Sequence, residues 1–202
     1  MKVERDNAPK FEKLKKQIET AGHYYGSDAP ILTITEFSDY QCPHCSVLHS
    51  QLRKLVGETH GLKVMHKDYP MDHQCNPALK KPFHTEACKT ALFVRCAGEQ
   101  GRYWEAADLV FENQKQLKDP EIYNTMILAL TLESKALHHC MNEDAVIKEA
   151  LMTDIKEALT HRFRGTPVII FEGTEQLVSN WAGGRLGQVV RDYIRKKRYQ
   201  SK

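Results

Sequence analysis

Cys42-Pro43-His44-Cys45 stands directly behind an apolar run, residues 31–37 (ILTITEF), and a short polar loop, residues 38–41. A CxxC that opens a helix straight after a strand is how proteins build a reactive dithiol, so this tetrapeptide fixes a strand, a tight turn and a helix in that order. Pro43 suits the first helical position, where its missing N–H costs nothing and its fixed φ fits the turn. Downstream, Cys45, Leu48, Leu52, Leu55 and Val56 recur at three- and four-residue spacing and give the helix one apolar face to pack against a sheet. Cys45 therefore belongs to the buried face. Cys42 sits at the helix mouth, where unsatisfied N–H groups and the positive end of the helix dipole favour an anion, which makes it the attacking thiolate. His44 falls on the more polar side with Gln51 and Lys54. A donor or positive charge there lowers the Cys42 pKa, stabilises the reduced form and makes the disulfide a stronger oxidant.

Two blander uses of a CxxC compete with redox chemistry: half of a zinc site, or an inert buried pair. Structural zinc normally needs a second pair at motif spacing, and Cys75, Cys88, Cys96 and Cys140 form none. His138-His139-Cys140 and the His66/His73 pair are weak metal candidates, since adjacent helical residues point in different directions. No metal is expected. Tyr103-Trp104 reads as core packing.

Residues 36–45 (EFSDYQCPHC), with Gly165-Thr166-Pro167 ahead of a later apolar strand, resemble the DsbA branch of the thioredoxin superfamily. Residues 96–114 (CAGEQGRYWEAADLVFENQ) resemble the inserted helical domain of bacterial DsbA-like and DsbG-like thiol oxidoreductases, and the matching segments run from about Tyr25 to Leu186. The resemblance implies an α/β thioredoxin-like fold, a central mixed β-sheet flanked by helices, with an inserted helical domain. On that template residues 1–24 form an N-terminal helix, 25–71 and 164–202 the thioredoxin-like domain, and 72–163 the insertion.

By the same resemblance Cys42 matches the nucleophile and Cys45 the resolving cysteine, while Pro43 and His44 match the dipeptide of the oxidising enzymes. Pro167 matches a proline preceded by a cis peptide bond, which puts Thr166 beside the disulfide and exposes backbone for an extended peptide to pair with. Glu36 lies six residues before Cys42, where the superfamily keeps a buried acid. A carboxylate is costly to bury without a task, so Glu36 is expected to have a raised pKa and to pass a proton to or from Cys45; a solvated edge-strand Glu is the alternative.

The expected activity is thiol–disulfide exchange, in the direction of disulfide formation in folding proteins, with the Cys42–Cys45 dithiol as the redox group and no added cofactor. A reductase or isomerase of the DsbC or DsbG type is the alternative, favoured by Thr166 where the strong oxidase usually carries Val and opposed by an N-terminus too short for a dimerisation domain. A non-catalytic metal- or peptide-binding module on the same scaffold is the reading from another class. The implied partners are unfolded or reduced proteins and a membrane redox protein of the DsbB or vitamin K epoxide reductase type, and a monomer is expected.

Composition limits the rest. Lys and Arg (29) exceed Asp and Glu (26) by three, too slight an excess to argue for nucleic acid, and 41% apolar residues suffice for one good core with a subdomain. Arg195-Lys196-Lys197-Arg198 reads as a helix terminus whose cations complement the dipole. No leader or membrane span is visible, yet disulfide chemistry and surplus cysteines fit a periplasmic or otherwise extracytoplasmic setting, including a tethered domain of a larger membrane protein.

Along the chain, Phe11, Leu14 and Ile18 give an amphipathic helix ended near Gly22, residues 24–30 a linker, residues 62–68 a strand parallel to the first, and residues 72–163 a helical stretch broken at 98–101 and 119–120. Residues 168–171, a turn at 172–174 and residues 175–179 form a hairpin before a last helix with Leu186, Val189, Val190, Tyr193 and Ile194 inward. Cys75–Cys88 would close a short loop, and Cys96–Cys140 would join two helices. The four cysteines nevertheless allow three pairings, with buried free thiols as a further alternative.

Overall fold

The computed structural model describes residues 23–172, 176–177 and 185–200. The expected N-terminal helix and most of the turn at 172–174 lie outside that range. The chain divides into two compact units: Met1–Thr35 with His49–Met65 and Ile169–Lys202, and Glu36–Leu48 with His66–Val168.

A five-stranded sheet runs through the chain, with residues 36–38, 66–68 and 168 of it belonging to the second unit. The strands are β1 (Tyr24–Gly26), β2 (Leu32–Ser38), β3 (Leu62–Asp68), β4 (Val168–Phe171) and β5 (Gln176–Leu177), ordered β1-β3-β2-β4-β5. Helix α1 (Pro43–Glu58) joins β2 to β3. Ile31 and Leu32 N–H groups both bond Gly61 O at the start of β2, and Ser38 O accepts from Tyr69 N at its end, so β2 and β3 run parallel. Glu172 N donates to Thr33 O just past the end of β4, which sets β4 antiparallel to β2. The sheet is therefore mixed, as the thioredoxin-like reading requires.

Residues expected as a linker instead supply β1, antiparallel to β3 with Tyr24 opposite Met65 and Gly26 opposite Lys63. Three residues are too few for alternation to reveal. Gly26 ends this strand at φ +117°, and a Cβ there would lie 2.4 Å from Leu62 O, so no side chain fits. α1 buries the face expected of it: Cys45, Leu48, Leu52, Leu55 and Val56 are all inside. In the last helix, α7 (Leu186–Gln200), Leu186, Val190 and Ile194 are buried, but Val189 is 36% exposed and faces out, contrary to expectation. A helical stripe of i, i+4, i+8 is enough to cover its share of core.

The second unit is mostly helical: α2 (Ala87–Glu99), α3 (Tyr103–Glu112), α4 (Pro120–Ala129), α5 (Ser134–Glu143) and α6 (Ala145–Thr160). Helices begin at Ala87, not near residue 72. Residues 72–86 form turns instead, held by side chain to backbone bonds such as Gln74 N to Asp72 Oδ1 (3.0 Å) and Ala78 N to Asn76 Oδ1 (3.1 Å). Asp119 caps α4 ahead of Pro120, as expected of a break there. Two further breaks were not legible from glycine or proline: Glu133 caps α5 through Lys135 N and Ala136 N, and Asp144 caps α6 through Val146 N and Ile147 N. The unit also includes residues 36–48, outside the expected insertion of 72–163. The physical reason is bonding: Gln114 Nε2 donates to Tyr40 O (2.6 Å) and Cys42 O (3.0 Å), and Asp39 binds Met71 N and His84.

Candidate active site

The dithiol is set by a tight turn. Asp39 Oδ1 accepts from Gln41 N at 2.7 Å, Cys42 N bonds Asp39 O at 3.0 Å, and the Cys42 carbonyl receives the first helical N–H groups, from Cys45 (3.0 Å) and Ser46 (3.3 Å). Pro43 then takes the first helical position. Both cysteines are thiols here. Cys45 is fully buried, and Cys42 exposes only 6% of its surface, so the nucleophile expected at an open helix mouth is offered through a narrow window.

The two sulfurs are driven apart in acidity. The Cys45 thiol, acting as a hydrogen-bond donor, lowers the Cys42 pKa most; burial opposes it, and Thr166 and the backbone N–H groups of Cys45 and His44 add to the lowering, which brings it to about 5. His44 contributes here through its backbone, whereas sequence reasoning assigned the effect to its ring. Burial first, and then the neighbouring Cys42, push the Cys45 thiol far above its ordinary range. One sulfur is ionised at neutral pH and the other holds its proton.

The peptide bond between Thr166 and Pro167 is cis, and Thr166 O accepts from Cys42 Sγ at 3.4 Å. The Thr166 hydroxyl is buried with no hydrogen-bond partner, which leaves it able to turn its proton toward the sulfur once the thiol ionises.

Beneath this turn lies a buried charge chain. Glu36 is wholly inside, not on a solvated edge, and its Oε1 meets His66 Nδ1 at 2.9 Å while Oε2 has no partner. His66 Nε2 bonds Asp68 Oδ1 at 3.2 Å, Arg95 Nε bonds Asp68 Oδ2 at 2.6 Å, and Arg95 Nη2 reaches Asp154 Oδ2 at 2.5 Å. A ring that donates to carboxylates from both nitrogens is an imidazolium. Burial alone would depress its pKa, but Asp68 and Glu36 outweigh burial and raise it to about 10. Tyr40 stacks on the ring at 5.3 Å, and Tyr103 and Trp104 meet it edge-on at 6.2 Å, so Tyr103-Trp104 is core packing around a charge.

His66 was flagged in sequence only as a weak metal candidate, and Asp68, Arg95, Asp39, His84 and Gln114 were not singled out. A signal existed for the first two: β3 buries alternate residues from Leu62 and Val64 onward, which puts His66 and Asp68 on the inner face. Cys75 is bonded to Cys88 (Cα–Cα 5.9 Å) and Cys96 to Cys140 (5.8 Å), the latter joining α2 to α5. His138 and His139 are exposed on α5. Among the described residues no three His, Cys, Asp or Glu side chains converge as metal ligands.

The family model described as Thioredoxin matches residues 18–180. The fold is similar to that of Wolbachia pipientis alpha-DsbA1 (TM-score 0.72, 15% identity, 94% of this chain and 99% of that one) and of Pseudomonas aeruginosa DsbA2 (TM-score 0.59, 24% identity, 79% and 85%). Among curated proteins the chain is similar to the Na(+)/H(+) antiporter NhaA 1 of Salinispora arenicola, 24% identical over 147 residues, which are 72% of this chain. The chain spans about a fifth of that relative's length, 21%. The chain belongs to the thioredoxin family, with the fold of its DsbA-type thiol–disulfide oxidoreductases.

Proposed function

We propose that this thioredoxin-type thiol–disulfide oxidoreductase works in the oxidising direction, donating a Cys42–Cys45 disulfide to proteins that are acquiring theirs. The observation that carries this reading is the set of donors around Cys42, the Cys45 thiol, Thr166 and the backbone N–H groups of Cys45 and His44, which hold its pKa down to about 5, because a stabilised thiolate favours the dithiol over the disulfide and leaves quickly from a mixed disulfide.

A substrate thiolate attacks Cys42 Sγ; the Cys42–Cys45 bond breaks, and its electron pair goes to Cys45, which takes a proton because burial disfavours its anion. The substrate's second thiolate then attacks its own sulfur in the mixed disulfide and expels Cys42 as a thiolate. The substrate has lost two electrons and the enzyme has gained them. Glu36, with Oε2 unpaired and Oε1 on the His66 imidazolium, is the proposed carrier of the Cys45 proton. Thr166 and cis Pro167 are the proposed pairing edge for the extended substrate.

Reoxidation calls for a membrane partner of the DsbB or vitamin K epoxide reductase type, and an extracytoplasmic site fits both that partner and the two further disulfides. Similarity to a segment of a Na(+)/H(+) antiporter is in keeping with a membrane-linked setting. Reduction or isomerisation is the second reading, and it rests on the resemblance alone, Thr166 standing where the strong oxidases usually carry Val; a hydroxyl that donates to the Cys42 thiolate pulls toward oxidation.

Equilibration of the Cys42–Cys45 pair with glutathione, with the other four cysteines tracked by mass, tests the direction. A potential near ~−120 mV supports oxidation, and one near ~−270 mV assigns reduction. Absence of exchange with stoichiometric binding of a metal or peptide would mean a non-catalytic module.

A further inference from the structure

Residues 75–88 form a loop closed by the Cys75–Cys88 disulfide, and this loop is fastened to the turn that holds Cys42. His84 Nδ1 meets Asp39 Oδ2 at 2.8 Å, His84 N donates to Met71 O at 3.1 Å, and Glu86 N donates to Gln41 Oε1 at 2.7 Å. Asp39 and Gln41 stand three residues and one residue before the nucleophile; burial lowers the His84 pKa, but Asp39 and, to a smaller extent, the Cys42 thiolate raise it.

Phe83 stands on the outside of this assembly. Its ring is stacked on His84, centroids 4.2 Å apart at 21°, and 67% of the residue is exposed. A phenyl group this open is a large apolar area left in water, yet it is held still by a ring stack, three hydrogen bonds on its neighbours and a disulfide. Val47, two residues beyond Cys45, is also 52% exposed. Phe83 is thereby tied, through His84 and Asp39, to the turn that carries Cys42, whose Sγ meets Thr166 O at 3.4 Å. Preorganised apolar area gives selectivity at little ordering cost.

We propose that Phe83, backed by His84, is a specificity determinant that contacts the side chain next to the reacting cysteine of an extended substrate segment and favours an apolar residue there. This rests on the oxidoreductase reading. The imidazole behind the phenyl is already committed to the Asp39 carboxylate, so the platform offers no unpaired charge to an acidic or basic neighbour.

The test uses two reduced peptides that differ only in the residue beside cysteine, Leu or Ser, and compares kcat/KM for their oxidation by the wild-type protein and by Phe83→Ser. The wild type is expected to prefer the Leu peptide about tenfold, the effect of one modest apolar contact. In Phe83→Ser the ratio falls toward one, while Phe83→Trp restores it. The Cys42–Cys45 potential and the urea midpoint of Phe83→Ser stay at wild-type values, which separates a lost contact from a disturbed site. Equal rates for both peptides in the wild type, or a preference that survives Phe83→Ser, overturn the proposal and leave the oxidoreductase reading standing. Failure to oxidise either peptide overturns both. If the wild type pairs with itself through Phe83 and shows no peptide preference, the platform belongs to a second copy of the chain and the proposal fails.

Discussion

Cys42 is the residue whose ionisation decides what the protein can do. Its alkylation rate is expected to follow a thiolate titrating near pH 5, and Cys45→Ala, which removes the strongest donor, moves that midpoint up toward an ordinary thiol. Stopped-flow iodoacetamide labelling across the pH range reads both; a midpoint unmoved by Cys45→Ala would mean that the backbone N–H groups suffice alone. His66 carries the opposite sign. Its folded pKa of about 10 lies above its unfolded value, so its contribution to stability is whole below about pH 6.5 and is lost as pH rises through about 10. His66→Leu leaves Glu36 buried without its cation and is expected to cost roughly 3–5 kcal/mol near neutral pH, less toward pH 10, as urea unfolding at a series of pH values will show. The difference in what was legible follows from chemistry. A CxxC announces itself by spacing, as does the Pro167 motif by order, whereas the partner of Glu36 lies on another strand thirty residues away and meets it only after the sheet has formed.

At the scale of elements, the long amphipathic pieces were readable and the short or capped ones were not. β3 and α1 follow from period two and period 3.6, because each buries one face. β1 is three residues long, and the starts of α5 and α6 are set by Glu133 and Asp144 side chains that resemble any exposed acid in sequence. The pairing of the four extra cysteines depends on which helices adjoin, so only the folded chain selects it. The two bridges enclose loops of different length, 13 and 44 residues apart in sequence. On loop-closure grounds, replacing Cys75 and Cys88 by Ala is expected to cost about 3 kcal/mol, and Cys96 and Cys140 about 4 kcal/mol. Urea denaturation of the two double variants, with Cys42 and Cys45 oxidised in each, checks the order. The shorter bridge matters for a second reason, since it constrains the loop that presents Phe83 and grips Asp39.

The whole molecule must satisfy a thermodynamic cycle: whatever makes the disulfide a strong oxidant makes the reduced protein the more stable one. Each ~30 mV by which the Cys42–Cys45 couple is more oxidising than an unstructured dithiol corresponds to about 1.4 kcal/mol of extra stability in the reduced form. Thermal scans of both redox states at neutral pH are expected to give the higher midpoint for the reduced protein, and the gap closes as pH falls through about 5, where the thiolate is lost and its contribution with it. Equal midpoints would place the couple with the reducing members of the family. The unequal sulfurs have an electrochemical consequence as well. With Cys42 already deprotonated and Cys45 not, reduction of the disulfide takes up two electrons but only one proton. The midpoint potential then shifts by ~30 mV per pH unit above about pH 5 and by ~59 mV below it. A couple of this kind responds to the acidity of its surroundings with half the steepness of an ordinary dithiol, and holds its oxidising strength more evenly where proton concentration varies.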